Sequence, residues 1–517
     1  VMRGECSDCD CSVYEAPVSG HDCEYCGHKP VVHTGGACNL KRKRKEEDHE
    51  QMQRNKKVRW DAAGLSVPAH PQGVQPFGNI YLDDQGQEKF HALRSGLGSL
   101  SFFSDDLLLT LLGLFSPQTV ARMGEVSRMF YILSRDEGLW RSFVQEDFGG
   151  SFSFRTNWRE TYINTVLRNK PTSAYQFCET LQFDGCYSDV LYQPWRCAHA
   201  DLEQWAHVDN VDRRSNLTRE EFIEEYEKPG KPVILTDIVP EWLAFNSNDE
   251  KKWSKEMLLK RFGSVIFKAG AVEMSLEDYW NYAEQTQEET PIYLFDNQFI
   301  EKAPPLGEEY SVAPFFSEDF FSLLDDQPKI RPSYRWILIG PARSGSTFHK
   351  DPNYTSAWNG VVQGRKKWIL FPPDFTPPGV LPSCDELDVT TPISVTEWFL
   401  NFYDTARKAA VKPFECVQQP GELLFIPHMW WHSALNLEEC IAVTQNYVNN
   451  QNLIHVLDFL HKNGKKKLYL PLEQRIDSEL LLTLRETHKA KQMENSSAWE
   501  KLTADTEANS VFKFSFA

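Results

Sequence analysis

No stretch of this chain approaches the roughly 20 consecutive apolar residues that a membrane-spanning helix requires, and no secretory leader pattern is visible. We therefore expect no membrane partner. Positive charge is in the minority, since 55 Lys and Arg against 73 Asp and Glu leave a net charge of −18. This balance excludes a protein that wraps nucleic acid over its whole surface and leaves nucleic-acid binding open only for local basic patches. The length of 517 residues gives room for about two to four domains.

Cysteine is scarce outside the N-terminus, because six of the 12 cysteines lie within residues 1–38. Cysteines separated by two residues are typical of zinc sites, since each pair can hold one tetrahedral ion. The candidate zinc ligands are Cys6, Cys9, Cys11, Cys23, Cys26, His28 and His33. They suit one ion with spare ligands or two ions with shared ones. The alternatives are a disordered tail or, in a secreted protein, a disulfide knot. We favour zinc because the rest of the chain has an intracellular character.

A basic run follows the cysteines. Lys41–Lys45 has the sequence KRKRK, which is typical of a nuclear import signal or a nucleic-acid contact and is also found in solvated tails. We expect a nuclear protein, with a cytoplasmic fraction left open, and residues 1–45 could alternatively form a zinc-dependent nucleic-acid module. Residues 39–99 are otherwise polar and rich in Pro, Gly and Gln, which predicts a basic and polar linker.

Residues 100–165 carry helical patterns. Ser104 and Asp105 can cap a helix with leucines at helical spacing (Leu107, Leu108, Leu111 and Leu112), and Pro117 suits the first turn of a second helix. The pattern predicts a small helical bundle. The order of a leucine-rich helix, VSRMF and LSRDEGLWR resembles an F-box, which implies binding to a Skp1-type adaptor of a cullin ubiquitin ligase. The alternative is an α-helical cap on the next domain.

Two histidines and a carboxylate give the strongest chemical pattern. His349 and Asp351 stand two apart, so on a strand they point to the same face and can reach one ion, and His432 follows 81 positions after Asp351. This donor set with open positions is used by non-haem Fe(II) oxygenases. Alone, the H-x-D pattern is more often a polar pair in a surface loop.

The surrounding segments predict short strands rich in aromatic and β-branched residues. They are RWILIG (Arg335–Gly340), QGRKKWILFP (Gln363–Pro372), GELLFIP (Gly421–Pro427) and IAVTQNYV (Ile441–Val448), with a turn at Ser344–Thr347. Such strands, with Gly and Pro between them, indicate a mainly β fold, a double-stranded β-helix of the jelly-roll or cupin type.

At this point the chain resembles the Jumonji C oxygenase family, and within it the nuclear branch described as lysyl hydroxylases and arginine demethylases. The resemblance rests on FHKDPNYTSAWNGVVQGRKKWILFPP (Phe348–Pro373), GELLFIPHMWWHSALNLEECIAVTQNYV (Gly421–Val448) and two upstream segments, Tyr187–Cys197 and Glu225–Asp237. It covers about residues 180–460 and implies an oxygenase domain over residues 170–460, followed by a helical tail over 461–517.

The resemblance assigns roles to named residues. His349, Asp351 and His432 match the iron ligands, and Lys366 matches the lysine that pairs with the distal carboxylate of 2-oxoglutarate. Tyr293, Asn359, Thr444 and Ser346 match polar groups around this cosubstrate, with Asn436 and Asn446 in the same region. Without the resemblance, Lys366 would be taken for a surface lysine, as we expect of its neighbours Arg365 and Lys367, and the other residues for strand polar groups.

The resemblance implies an Fe(II)- and 2-oxoglutarate-dependent dioxygenase acting on a protein. Oxidation of a side-chain methylene gives hydroxylation of lysine or arginine, whereas oxidation of an N-methyl carbon gives demethylation, and the metal site does not choose between them. A basic tail, such as a histone or an Arg/Ser-rich nuclear protein, is the expected substrate. The competing hypothesis is an F-box substrate receptor of a ubiquitin ligase, in which the Jumonji domain only binds a target.

Overall fold

A computed structural model describes residues 67–167, 180–383 and 387–483, with 485, 486, 489 and two short strands near the start. Those strands, β1 (Glu5–Cys6) and β2 (His33–Thr34), pair antiparallel with Cys6 opposite His33. Of the other predicted zinc ligands, Cys9, Cys11, Cys23, Cys26 and His28 lie outside the described residues, as does the basic run Lys41–Lys45. The zinc site and the import signal therefore stay predictions.

Two sheets form the centre of the molecule. The remaining strands are β3 (Asp212–Arg214), β4 (Val233–Leu235), β5 (Ile266–Ala269), β6 (Val272–Ser275), β7 (Leu294–Asp296), β8 (Arg335–Gly340), β9 (Gly345–His349), β10 (Ser356–Gln363), β11 (Lys366–Phe371), β12 (Leu381–Pro382), β13 (Val389–Thr390), β14 (Phe414–Gln418), β15 (Leu423–Ile426), β16 (Trp431–Asn436) and β17 (Cys440–Tyr447). The major sheet has the order β3-β4-β15-β10-β17-β8-β7-β5-β6, and the minor sheet has the order β14-β11-β16-β9.

The chain alternates between the two sheets, as expected for a jelly roll. Side chains along each strand also alternate in direction. On β16, Ala434 packs between the sheets with Trp368 and Leu424, whereas Leu435 packs on the outside with Phe399. The predicted double-stranded β-helix is thus confirmed. One detail is wrong: the segment predicted as a turn at Ser344–Thr347 enters strand β9 at Gly345.

Helices cover the outer faces of both sheets. They are α1 (Gly86–Arg94), α2 (Asp105–Gly113), α3 (Pro117–Met123), α4 (Arg128–Leu133), α5 (Glu137–Phe148), α6 (Trp158–Leu167), α7 (Asp189–Ala198), α8 (Arg219–Phe222), α9 (Leu243–Asn246), α10 (Lys255–Phe262), α11 (Leu276–Ala283), α12 (Phe299–Lys302), α13 (Val395–Lys408), α14 (Leu453–Lys462) and α15 (Lys466–Arg475). Helix α13 packs on the minor sheet through Trp398 and Phe399. Within the described residues, every helix is too short or too polar to cross a bilayer.

The predicted linker 39–99 is folded over its described part, residues 67–99. Val74, Ile80, Leu93 and Leu97 are buried there, and the Trp195 indole donates to the carbonyl of Pro68 at 2.8 Å. Isolated apolar residues in a polar context show no helical periodicity, so only the tertiary contacts reveal that this segment belongs to the core.

The helices α2–α6 of residues 100–165 pack on the barrel instead of standing apart from it. Arg141 donates to Glu288 at 2.9 Å and to the carbonyl of Thr290 at 2.7 Å. The rings of Phe154 and Trp158 lie against Tyr282 at centroid distances of 5.1 and 5.6 Å. One continuous hydrophobic core therefore joins the helical bundle to the outer face of the major sheet.

Candidate active site

The candidate metal ligands meet at one end of the minor sheet. His349 ends β9 and His432 stands directly opposite it on β16, so the two imidazole centroids lie 4.3 Å apart. A register shift between His432 and Ala434 bends the ladder next to this pair, a device that re-aims side chains beside functional sites. Asp351 follows β9 by two residues. The structure thus brings His432 to the His349–Asp351 pair, which ends 81 residues earlier in the sequence.

The hydrogen bonds of both histidines fix their tautomer. Nδ1 of His349 lies 2.7 Å from the carbonyl oxygen of Thr347, and Nδ1 of His432 lies 3.0 Å from that of Trp430. A carbonyl can only accept, so each Nδ1 carries the proton and each Nε2 keeps a free lone pair. Burial, helped by the neighbouring His349, lowers the pKa of His432 to about 4 and keeps its ring neutral.

The three donor atoms converge on one point. Ligand atoms of His349, Asp351 and His432 all lie within 4.8 Å of one another, and Nε2 of His432 is 3.9 Å from Oδ2 of Asp351. That carboxylate oxygen is buried and has no hydrogen-bond partner within the described part of the chain. Because a buried unpaired carboxylate oxygen is costly, a cation is the natural partner. Two imidazoles and one carboxylate fit a divalent iron ion.

Lys366 lies inside the barrel, one strand away from His432. It begins β11 and is almost fully buried, at 1% exposure, with Nζ donating to the hydroxyl of Tyr293 at 2.8 Å. Alternation along β11 turns Lys366, Trp368 and Leu370 toward the interior. A buried ammonium that, among the described residues, donates to one phenol suits a carboxylate ligand.

The facing major sheet supplies further polar groups. Asn359 of β10 stands opposite Thr444 of β17. The Oδ1 atom of Asn359 is buried without a partner among the described residues, and the Thr444 hydroxyl donates to the carbonyl of Trp358 at 2.8 Å. Ser346 lies opposite Ala434 on the inner face of the minor sheet. The structure therefore places Lys366, Asn359, Thr444 and Ser346 on strands that enclose the barrel interior, and Tyr293 directly before β7. Their roles stay predictions.

The expectation that Lys367 lies on the surface is wrong. Its side chain is fully buried on the outer face of the minor sheet, with Nζ 2.7 Å from Glu415 Oε2. Arg365 is half-buried and pairs with Glu203 at 2.6 Å and Glu438 at 3.4 Å. Consecutive residues of a strand face opposite sides of the sheet. If Lys366 faces the barrel interior, Lys367 must face the outside of the same sheet, where a covering helix buries it and it needs an acidic partner such as Glu415.

Comparison with known proteins agrees with this geometry. A family model described as a cupin-like domain matches residues 218–452. "Arginine-specific demethylase JMJ22" of Arabidopsis thaliana is 42% identical over 87% of this chain and 90% of that protein. "Bifunctional arginine demethylase and lysyl-hydroxylase psr-1" of Caenorhabditis elegans is 40% identical over 50% of this chain and 66% of that protein.

A more distant relative is named for its cofactors. "2-oxoglutarate and iron-dependent oxygenase JMJD4" of Gallus gallus is 27% identical over 49% of this chain and 63% of that protein. The fold and the His-Asp-His cluster define a cupin-like protein with a mononuclear metal centre. Because one relative is more than 30% identical over nearly the whole length of both chains, this protein belongs to the Jumonji C family.

Proposed function

We propose that this protein is an Fe(II)- and 2-oxoglutarate-dependent dioxygenase that oxidises side chains of a protein substrate. The observation that carries the proposal is that Nε2 of His349 and Nε2 of His432 converge on one point with Oδ2 of Asp351, an oxygen with no hydrogen-bond partner among the residues the structure describes. The relatives named as arginine demethylases and lysyl hydroxylases support the reaction class.

Each part of the site has a distinct task in this reaction. His349, Asp351 and His432 would hold the iron and leave coordination positions open on its other side. Lys366 and the Tyr293 hydroxyl would bind the distal carboxylate of 2-oxoglutarate. When bound, iron and 2-oxoglutarate supply O₂ activation coupled to decarboxylation, and the barrel walls exclude water from that chemistry.

The product depends on which carbon of the substrate reaches the metal. Hydroxylation of a methylene leaves a stable alcohol, whereas hydroxylation of an N-methyl group releases formaldehyde and the free amine. Two relatives are named as arginine demethylases, one of them also as a lysyl hydroxylase, so both outcomes belong to the proposal. A basic segment of a histone or of an Arg/Ser-rich protein is the proposed substrate, and the net charge of −18 favours such a cationic partner.

The test measures succinate formation and peptide mass for the wild type and His349→Ala with basic peptides. A gain of about 16 Da, or a loss of about 14 Da, that disappears in the variant would identify hydroxylation or demethylation respectively. His91→Ala is the matched control, because His91 is exposed and far from the cluster in sequence. Failure of the wild type to bind Mn(II) or Fe(II), together with no succinate, would overturn the proposal.

We also propose a nuclear location, on the basis of the KRKRK run at Lys41–Lys45. Fluorescence microscopy of the full chain and of a variant with these lysines and arginines changed to serine tests it. Nuclear accumulation should be lost in the variant. An unchanged distribution would show that the run does not direct import.

A second candidate function, adaptor binding by the helical bundle, is favoured by its exposed apolar side chains. Phe102, which precedes α2, Leu114, which follows it, and Val126, which lies between α3 and α4, are 77%, 76% and 70% exposed. A contiguous exposed apolar patch marks a protein-binding surface, and we propose that these three side chains contribute to one. Co-purification with a Skp1-type adaptor should succeed for the wild type and fail for Leu114→Asp with Val126→Asp. No binding by the wild type would leave the bundle as a cap on the barrel.

A further inference from the structure

A fully buried glutamine, Gln418, connects the two sheets. It ends β14 of the minor sheet, and each polar atom of its carboxamide is used. Oε1 accepts from the Trp368 indole at 2.7 Å, and Nε2 donates to the carbonyls of Asn359 at 2.7 Å and Glu422 at 2.9 Å. Such a satisfied buried network fixes the relative position of the groups it joins.

These partners lie around the proposed 2-oxoglutarate pocket. Gln418 is the direct cross-strand neighbour of Lys366. It holds the backbone of Asn359, whose side-chain Oδ1 is buried on the facing sheet with no hydrogen-bond partner among the described residues. Through its indole, Trp368 is tied to the same amide while its ring lies 6.2 Å from that of His432. One side chain therefore contacts both walls of the pocket.

The hydrogen bond to the Glu422 carbonyl ties Gln418 to the segment that connects the two sheets. The chain crosses from the minor sheet to the major sheet between β14 and β15, through residues 419–422. Gln418 binds this crossing on one side, and Val361 binds it on the other through backbone hydrogen bonds with Gly421 and Glu422 at 2.8 and 3.0 Å. The spacing of the two sheets beside Lys366 is set at this crossing.

We propose that Gln418 is a positioning residue that sets the distance between Lys366 on one wall and Asn359 on the other, and thereby the affinity for the 2-oxoglutarate dicarboxylate. This inference rests on the proposed function. The side chain does not touch the cosubstrate; it acts through Asn359 and Trp368. A role in stability alone would lower the melting temperature without changing ligand affinity.

The experiment measures the dissociation constant of 2-oxoglutarate by calorimetry on Mn(II)-loaded full-length protein, together with the affinity for Mn(II) and the melting temperature. Gln418→Met keeps the side-chain length and removes all three hydrogen bonds. It should weaken 2-oxoglutarate binding about tenfold and leave Mn(II) affinity unchanged. Val417→Ala is the control, since Val417 is buried on the opposite face of the same strand; it should lower only the melting temperature.

A second variant keeps the test decisive if Gln418→Met does not fold. In Gln418→Glu, the ionised carboxylate cannot donate to the Asn359 carbonyl, whereas the protonated form can. The ratio of its 2-oxoglutarate dissociation constant to that of the wild type should fall as the pH is lowered. A ratio of one at every pH, or normal binding by Gln418→Met, would refute the inference. Absence of binding by the wild type would instead refute the proposed function.

Discussion

Replacing Lys367 with methionine should strongly destabilise the protein, because this lysine neutralises a buried carboxylate. Its Nζ lies 2.7 Å from Glu415 Oε2 and donates to the carbonyl of Val208 at 2.9 Å. The same carboxylate accepts from the Tyr403 hydroxyl at 2.7 Å. The side chains of Lys367 and Glu415 are 0% and 2% exposed, so water cannot replace either partner.

The expected magnitude follows from what each variant leaves behind. Lys367→Met leaves a buried carboxylate that keeps the Tyr403 hydroxyl and, at 3.9 Å, the half-exposed Arg407 guanidinium as partners. Loss of the buried cation should cost about 3 kcal/mol of unfolding free energy. Adding Glu415→Gln removes that charge and keeps an acceptor for Tyr403. The double variant then lacks mainly the hydrogen bond to Val208, which is worth about 1 kcal/mol. The double variant should therefore be more stable than Lys367→Met alone.

Urea unfolding followed by tryptophan fluorescence measures these differences. Arg365→Met is the matched control, because Arg365 lies two residues away and its ion pairs are partly solvated. It should change the unfolding free energy by less than about 1 kcal/mol. If the double variant were as unstable as the sum of its two single variants, the two groups would not be coupled and the reasoning would be refuted.

Three further predictions concern other buried positions. Lys366→Met should weaken 2-oxoglutarate binding by about 10- to 100-fold and leave Mn(II) binding unchanged, because it removes a charge-assisted contact; equal loss of both affinities in calorimetry would contradict this. Burial raises the pKa of Glu227, so the folded state loses stability as the pH rises above the unfolded value of about 4.3. The advantage of Glu227→Gln in melting temperature should accordingly be absent below about pH 4.3, grow as the pH rises above that value, and level off above the raised pKa of the folded state; a difference that is the same at every pH would argue against the assignment. Gly360→Ala should lower the unfolding free energy by about 1–3 kcal/mol, because a Cβ there overlaps the Trp242 ring. Urea unfolding measures this change, and a variant as stable as the wild type would show that the ring can move aside.

Local patterns were sufficient to predict much of the barrel. Strand β8 has the bounds that its run of apolar residues indicated. His349 and Asp351 reach one cluster as their spacing indicated, although β9 ends at His349 and Asp351 lies beyond the strand. The helix that follows Thr218 has a capping box with Glu221, a local sequence signal, and it continues as a π-helical turn over Ile223–Glu227. In each case, residues close in sequence determine the conformation.

Other features depend on partners that are distant in sequence. Gln418 carries no motif of its own, and its importance becomes visible only when Asn359 and Trp368 are placed beside it. The folded part of the predicted linker is similar, since Val74 and Leu93 are buried by residues far along the chain. Composition predicts exposure for such segments because it carries no information about long-range contacts.

The two adjacent lysines show how register joins stability to function. The turn between β10 and β11 contains Gly364 at φ +80°, where any Cβ would overlap the carbonyl of Glu439. Glycine therefore fixes where β11 begins. Since a slip of one residue reverses every side chain of a strand, it would turn Lys367 inward and remove Lys366 from the barrel. The same slip would leave Glu415 buried without its cation. The Lys367–Glu415 pair thus penalises the wrong register by several kcal/mol, which keeps Lys366 facing Tyr293.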